Sequence, residues 1–368
     1  MATAKIVIKN ALKTKISNAD KDINYRQGSK CAIIVKVLDE NSKAVKNKNV
    51  TFKVNGKKYI AKTDSKGFAK ILVNLKKGKY KVKYSLSKSA PYLYSKGSHK
   101  IKVKGPIGKG NGYWVWSSHM RSVNLKSIAD RGCKQIFLHV HAISVYGKSS
   151  VASFISKAHK YGMKVHLWMQ VFCTGEVWTR PVNPDGSFKY SFINKRISEA
   201  KSYAKIRGVD GIHFDYVRFD GSAHLYKTSA DAVNYFVKKA CDAVRKVKSN
   251  IIVSAAIMPE PGAMNYYYGQ DIPTMSKYVD VLLPMVYKGN YGKNTAWINK
   301  VTKTFVKESN GAQIWTGLQA YKSDSNAVKL TQSELKKDAK AAKNGGAAGV
   351  VLFRWGFTRN FKFNKVFK

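Results

Sequence analysis

Up to about residue 104 the chain alternates apolar and polar positions with a period of two, in short runs. KIVIKN, CAIIVKVLD, NVTFKVNGK, FAKILVNL, KYKVKYSL and HKIKVKG are such runs, and the turn-forming stretches DENSK, NGKK, DSKG and KKGK lie between them. A pleated strand sends successive side chains to opposite faces, so this pattern predicts an antiparallel all-β sandwich over residues 1–104. KGPIGKGNG follows with four Gly and one Pro in nine residues, which marks 105–112 as a linker.

From Tyr113 the pattern changes to near-continuous apolar runs alternating with amphipathic stretches. Strands are predicted at YWVW (113–116), QIFLHV (135–140), KVHLWMQ (164–170), GIHFDY (211–216), IIVSAAI (251–257), VDVLLPMVY (279–287), QIWTGLQ (313–319) and GVVLFRW (349–355). Helices are predicted between them at SSVASFISKAHKYG, SFINKRISEAKSYAKIRG, TSADAVNYFVKKACDAVRKVKS and TQSELKKDAKAAKNG. Buried strands alternating with helices imply a parallel sheet. Eight such units over 113–368 predict an α/β fold of the (β/α)₈ TIM-barrel type, whose usual length is roughly 250 residues. The rival is an open doubly wound sheet, which binds nucleotides through a Gly-rich turn after its first strand. Here SSHMRS follows the first strand, so the barrel is preferred.

Barrel enzymes place their chemistry at the C-terminal ends of the strands. In the fourth predicted strand, Gly211, His213 and Asp215 share one face, with Asp215 at the strand end. Hydrolysis of a sugar–sugar bond normally takes two carboxylates, one of them protonated to assist the leaving group. Asp215 and Glu260, the latter just beyond the fifth strand, are the candidate catalytic pair. Glu176, after the third strand, is the alternative acid, and Asp220 and Asp324 are lesser candidates. Trp168, Tyr287 and Trp355 sit at strand ends where an aromatic face can stack on a sugar, whereas Trp114 and Trp315 lie deeper and read as core. His139, His141, Gln170, His213, Arg218 and Gln319 complete the candidate substrate-binding set.

The histidines also support a competing reading. His139-Val-His141 puts two imidazoles on one strand face, with His166 and His213 on the next strands, as a zinc amidohydrolase or deacetylase would require. Against it, no His ends the fifth or sixth strand, and the eighth ends in FRW rather than Asp. No metal and no organic cofactor is expected. Cys173 lacks a recognisable partner base, and the four cysteines show neither a CxxC pair nor a disulfide framework.

Charge adds a partner class. The chain has 67 basic and 21 acidic residues, a net +46, and 27 of the basic against 5 of the acidic residues fall before residue 106. The cations are 57 Lys and only 10 Arg, spread along the chain. Arg is the residue suited to bidentate phosphate and guanine contacts, so nucleic acid is not expected. An anionic polymer such as an acidic wall polysaccharide is the expected partner. No apolar run approaches the roughly 20 residues needed to span a bilayer, so no membrane span is expected. The opening MATAKIVIKN also lacks a signal-peptide core.

Two segments resemble known families. GVDGIHFDYVRF, with LLPMVY at the sixth strand and a Trp-ending eighth strand, resembles glycoside-hydrolase-like barrels carrying D-x-I-x-x-D-Y-[IV]-R-[FY]. The resemblance implies that Asp215 is the nucleophile or transition-state stabiliser. That family motif commonly continues with Pro, where this chain has Asp220. Amylase-like barrels supply their acid from the fifth strand end, which supports Glu260. The chitinase pattern DGxDxDxE would align Asp210 and Asp215, but its acid position is Val217, so that mechanism is not implied. VTFKVNGKKYIAKTDSKGFAKILVNLKKGKYKVKYSL resembles the immunoglobulin-like repeats of surface adhesin-like proteins, especially those of methanogenic archaea. This implies a spacer or wall-attachment unit on a secreted or cell-surface protein, with pseudomurein glycan as one candidate substrate. The expected function is therefore a glycoside hydrolase acting on a wall or matrix polysaccharide. The alternatives are a non-catalytic carbohydrate-binding protein with a degenerate barrel, and the zinc amidohydrolase.

Overall fold

The structure of the protein, a computed structural model, describes residues 11–367; the predicted strand KIVIKN lies outside them. Contacts divide the chain into two units, Met1–Pro106 and Ile107–Lys368.

The first unit is all-β. Its strands are β1 (Thr14–Asn18), β2 (Cys31–Asp39), β3 (Asn49–Val54), β4 (Lys57–Lys62), β5 (Phe68–Val73), β6 (Gly78–Leu86) and β7 (Ser95–Val103). They form an antiparallel sheet β1-β2-β5 and an antiparallel sheet β4-β3-β6-β7. The apolar sides of both, including Val35, Val37 and Ile71 from one and Val50, Phe52 and Val82 from the other, share one core. Asn55-Gly56 closes the β3–β4 hairpin with Val54 opposite Lys57, and both turn residues have positive φ. That is the two-residue turn whose twist matches the strands, and Asn-Gly is the pair that tolerates it.

The second unit is the barrel. In chain order it comprises β8 (Gly112–Val115), α1 (Leu125–Asp130), β9 (Gln135–His139), α2 (His141–Lys160), β10 (Lys164–Gln170), the hairpin β11 (Cys173–Thr174) and β12 (Val177–Trp178), and α3 (Tyr190–Ala204). There follow β13 (Gly211–Asp215), α4 (Ser229–Val247), β14 (Ile252–Ile257), α5 (Met264–Tyr268), α6 (Ile272–Tyr278), β15 (Val281–Pro284) and α7 (Thr295–Glu308). β16 (Gln313–Gln319), the hairpin β17 (Tyr321–Ser323) and β18 (Asn326–Lys329), α8 (Gln332–Asn344) and β19 (Gly349–Phe353) complete it. Strands β8, β9, β10, β13, β14, β15, β16 and β19 pair in parallel and close into one barrel.

Gly112 opens the first barrel strand, where the sequence pattern places the end of a linker. α8 begins with a capping box between Thr331 and Glu334, the start that TQSE signals. α1, α6 and α7, absent from the predicted helices, also begin at side-chain caps, Asn124, Asp271 and Asn294, whereas α5 has none.

Alternation sorts the strand residues. Ile136, Leu138, Val165, Leu167, Ile212 and Phe214 point outward beneath the helices. Trp114, Phe137, Trp168, Ile252, Val281, Leu283, Trp315 and Val351 fill the interior. Several interior polar groups are paired: Trp114 Nε1 donates to His213 Nε2 (3.1 Å), His213 Nδ1 meets Ser254 Oγ (2.9 Å), and His166 Nε2 meets Gln135 Oε1 (2.9 Å), while His166 Nδ1 has no partner among the described residues. Two carboxylates serve the opposite, N-terminal ends of the strands. Asp210 accepts from Val165 N (2.8 Å) and pairs with His159 (2.7 Å). Asp280 accepts from Val253 N (2.9 Å) and Arg245 (3.0 Å).

Such bulky rings need small neighbours. A Cβ on Gly211 would lie 2.1 Å from His166 Nδ1, and one on Gly317 would lie 2.9 Å from the Trp114 ring. Gly211→Ala is therefore expected to destabilise the barrel by about 1–3 kcal/mol through overpacking, read as a lower denaturant midpoint at unchanged slope.

Candidate active site

The parallel register places Gln170 of β10 beside Asp215 of β13, and Trp168 beside His213. All four point inward. Asp215 is 8% exposed. Its Oδ2 accepts the Trp168 indole N–H (3.0 Å), and its Oδ1 accepts the backbone N–H of Tyr216 (2.8 Å). Tyr216 has φ +51°, the left-handed region that a bulky side chain occupies only at a cost. Burial raises the Asp215 pKa above the usual carboxylate range, against the opposing effects of the Tyr216 and Trp168 hydrogen bonds and of Arg218. Arg218 sits over the rings of Trp178 (4.8 Å), Tyr216 (5.2 Å) and Tyr268 (5.6 Å).

Above Asp215 opens a cavity of about 250 Å³. Trp114, Trp116, Trp168, Tyr216, Tyr287, Tyr291 and Phe353 supply its aromatic wall, and Met258, Pro259 and Met285 add apolar surface. Asp215, Arg218, Asn290 and Asp324 are its polar lining. Burial, reinforced by the Asp215 charge, holds the Tyr287 phenol far above its ordinary pKa, so it remains a hydrogen-bond donor. Nearby buried polar atoms lack partners among the described residues, notably Trp116 Nε1, Arg218 Nε, Glu260 Oε2 and Gln319 Oε1. Unpaired buried groups are costly in a resting protein and are the ones a polyhydroxylated ligand can satisfy.

The remaining carboxylates separate clearly. Pro259 lines the cavity; Glu260 follows it and is not itself a lining residue. The Glu260 charge raises the pKa of cavity-wall Tyr291, after burial, and also that of Tyr268, pushed up to about 12 by burial first. Asp324, ranked low by sequence, lines the cavity directly. It accepts from Tyr321 Oη (2.7 Å), Asn290 Nδ2 (2.7 Å) and Gln319 Nε2 (3.1 Å). Glu176 does not line the cavity. It occupies the exposed β11–β12 turn with φ +67°, next to Gly175 at +57°, so its backbone geometry accounts for its position. Asp220 is paired with Arg180 (2.7 Å).

Among the predicted binding residues, Trp168, Arg218 and Tyr287 line the cavity. Gln319 is buried and bridges Asn290 (3.1 Å) and Asp324. Gln170 lies next to Asp215 in the register, and the His139 ring packs on Trp116 (4.7 Å) behind the wall. Three placements correct the sequence expectation. β9 ends at His139 and Val140 is already helical, so His141 opens α2 exposed to solvent and does not share the His139 face. His213 is fully buried below the cavity, with both ring nitrogens used by Trp114 and Ser254. Trp355 is buried beside His119 and Arg359, and Phe353, two residues earlier, faces the cavity in its place. Asn290, Tyr291 and Phe353 are cavity residues that no motif marks. Trp116, a strand-end aromatic two residues after Trp114, lines the cavity as well.

Burial lowers the pKa of His139 and of His166 to about 4 and holds that of His213 well below its ordinary value, so all three are neutral near pH 7. Among the described residues no three His, Cys, Asp or Glu side chains converge as a metal-ligand set. Cys173 is buried, and desolvation raises its thiol pKa, which favours the unreactive form.

Residues 173–353, spanning β11 to β19, match the family model described as "Putative glycosyl hydrolase domain". No curated protein matches the chain. Among solved structures, the PgaB (BpsB) glycoside hydrolase domain from Bordetella bronchiseptica aligns with TM-score 0.52 and 13% identity, over 68% of this chain and 95% of that one. An endo-β-1,4-mannanase from Thermotoga petrophila aligns with TM-score 0.51 and 12% identity, over 68% of both chains. A β-galactosidase from Halorubrum lacusprofundi gives TM-score 0.51 and 12% identity, over 66% of this chain and 52% of that one. At these identities the likeness is one of fold.

The buried Asp215 makes a pH prediction. Because its folded pKa lies above the unfolded value of 3.8, the unfolded chain loses this proton first as pH rises. The associated stability is complete below that value and is lost as pH climbs through the folded pKa. The thermal midpoint of the wild type minus that of Asp215→Asn should therefore fall from about pH 4 upward and then level off. A difference independent of pH would show that Asp215 is not desolvated.

Proposed function

We propose that the chain is a glycoside hydrolase, secreted or held at the cell surface, that cleaves a wall or matrix polysaccharide. The observation that carries this reading is the buried Asp215 on the floor of an aromatic-walled cavity at the C-terminal ends of barrel strands. Sugar rings present C–H faces that stack on Trp and Tyr, and hydroxyls that pair with groups such as Gln319 Oε1 and Trp116 Nε1. In this scheme the ionised Asp215 meets the positive charge that develops at the anomeric carbon. Glu260 acts as general acid, giving a proton to the departing glycosidic oxygen as that bond breaks; water then adds its hydroxyl to the anomeric carbon and returns its other proton to Glu260. The buried, unpartnered Oε2 of Glu260, one residue beyond cavity-lining Pro259, supports that assignment. Asp324, with its three donors, holds Asn290 and Gln319 against the substrate. Arg218, framed by three rings, offers a positive group to an acidic sugar substituent. The first unit, read as an immunoglobulin-like module, serves as spacer or wall attachment.

The test is release of reducing ends from purified wall polysaccharides, pseudomurein glycan included. Glu260→Gln should lose about 10²–10⁴-fold in rate, the usual share of a general acid, and Asp215→Asn at least as much. Equal rates in wild type and both variants would remove the mechanism, and tight glycan binding by an inactive wild type would identify a binding module instead.

Activity should decline as pH falls through the raised Asp215 pKa, which must be ionised to act. Trp168→Phe removes a donor that favours the ionised form, so it should move this acidic limb to higher pH. An unmoved limb would dissociate Asp215 from the profile.

A further inference from the structure

We propose that the outer face of the β4-β3-β6-β7 sheet is a docking surface for a polyanionic polysaccharide. Alternation along the four strands brings nine exposed lysines to this one face, namely 53 on β3, 58 and 62 on β4, 79, 81 and 83 on β6, and 96, 100 and 102 on β7. Cross-strand register sets several directly opposite one another. Lys53 faces both Lys58 and Lys83, Lys81 faces Lys100, and Lys79 faces Lys102. Directly opposed like charges, about 5 Å apart at Cβ, destabilise a sheet.

Nothing on the sheet offsets them. The four strands contain no Asp or Glu. The acidic residues before residue 106 are Asp20, Asp22, Asp39, Glu40 and Asp64, all outside these strands. Among the described residues none of the nine lysines is ion-paired. A general excess of lysine does not require this arrangement. On the barrel helices, exposed lysines do find acidic neighbours one turn away, as in Lys126–Asp130 and Lys238–Asp242. The face also has relief, a hollow of about 580 Å³ bordered by Lys53, Lys81, Lys83, Lys96, Tyr84 and Tyr94.

The complement of such a grid is a chain of regularly spaced anions. Each contact is weak and screened by salt, but many made at once give useful avidity. A nucleic acid fits less well. The sheet has no Arg for bidentate phosphate contacts, the residues between the lysines are Asn49, Thr51, Ile60, Ser85 and Ser98, and the exposed ring beside the hollow is that of Tyr94. The choice of a polysaccharide rests on the glycoside-hydrolase reading of the barrel; the lysine face does not.

The experiment uses the full chain carrying Asp215→Asn, so that binding is read without turnover and survives failure of the hydrolase reading. Retention on polygalacturonate is compared with retention on neutral mannan and on duplex DNA at equal salt. Lys53→Gln/Lys81→Gln/Lys83→Gln should weaken polygalacturonate binding about tenfold or more and flatten its salt dependence. Lys300→Gln/Lys303→Gln/Lys307→Gln on α7 removes the same charge and should change it less than about twofold. The face variant should melt no lower than its parent at low salt, because opposed charges have been removed, and single Lys53→Gln gives a milder second reading. Unchanged binding by the face variants, equal loss in the α7 variant, or tighter binding to DNA would each overturn the proposal.

Discussion

The parallel register between β10 and β13 is the constraint on which the site depends. It sets Trp168 and Gln170 beside His213 and Asp215, so the indole N–H reaches a carboxylate that would otherwise be buried without a donor. The left-handed turn at Tyr216 brings a second N–H to the same group. These two bonds make burial of the charge tolerable without abolishing its cost, and the raised pKa of Asp215 is the remainder. A slip of one residue would reverse the facing of the whole strand.

The loops continue this arrangement. Val171 and Phe172 donate to the carbonyls of Asp215 and Tyr216, and Phe219 donates to that of Tyr268. Gln270 is buried and ties Met258 to Val217 and Ala256. The segments after β10, β13 and β14 are thereby bonded to one another, which fixes Arg218 among its three rings and carries the chain through Pro259 to Glu260. Carboxylates at the two ends of the barrel differ in the same terms. Asp210 and Asp280 receive backbone N–H groups and a cationic or ring partner, which is structural work. Asp215 receives two N–H groups and faces a cavity.

The first unit presents a different electrostatic problem. Its core is ordinary, whereas one outer face concentrates repulsion that folding alone does not reward. Retaining such a face is understandable where a polyanion neutralises it.

Much was legible in the residues alone. Two-residue and helical periods, near-continuous apolar strands and turn formers mark a β-rich unit and then eight β/α repeats, because alternation and burial are local properties of a strand. Asp215 was legible for the same reason, being the last inward residue of its strand. What required tertiary structure was the fate of residues past the strand ends, where no period constrains direction. There the chain turns helical at Val140 and carries His141 to solvent, and Glu176 becomes a hairpin turn. There also Trp355 packs away behind Phe353, while Asn290 and Tyr291 from the β15–α7 loop and Asp324 from the β17–β18 turn line the cavity with Asp215. Closure of the barrel brings these segments together, and the spacing of residues along a chain holds no record of which loops will meet across its mouth.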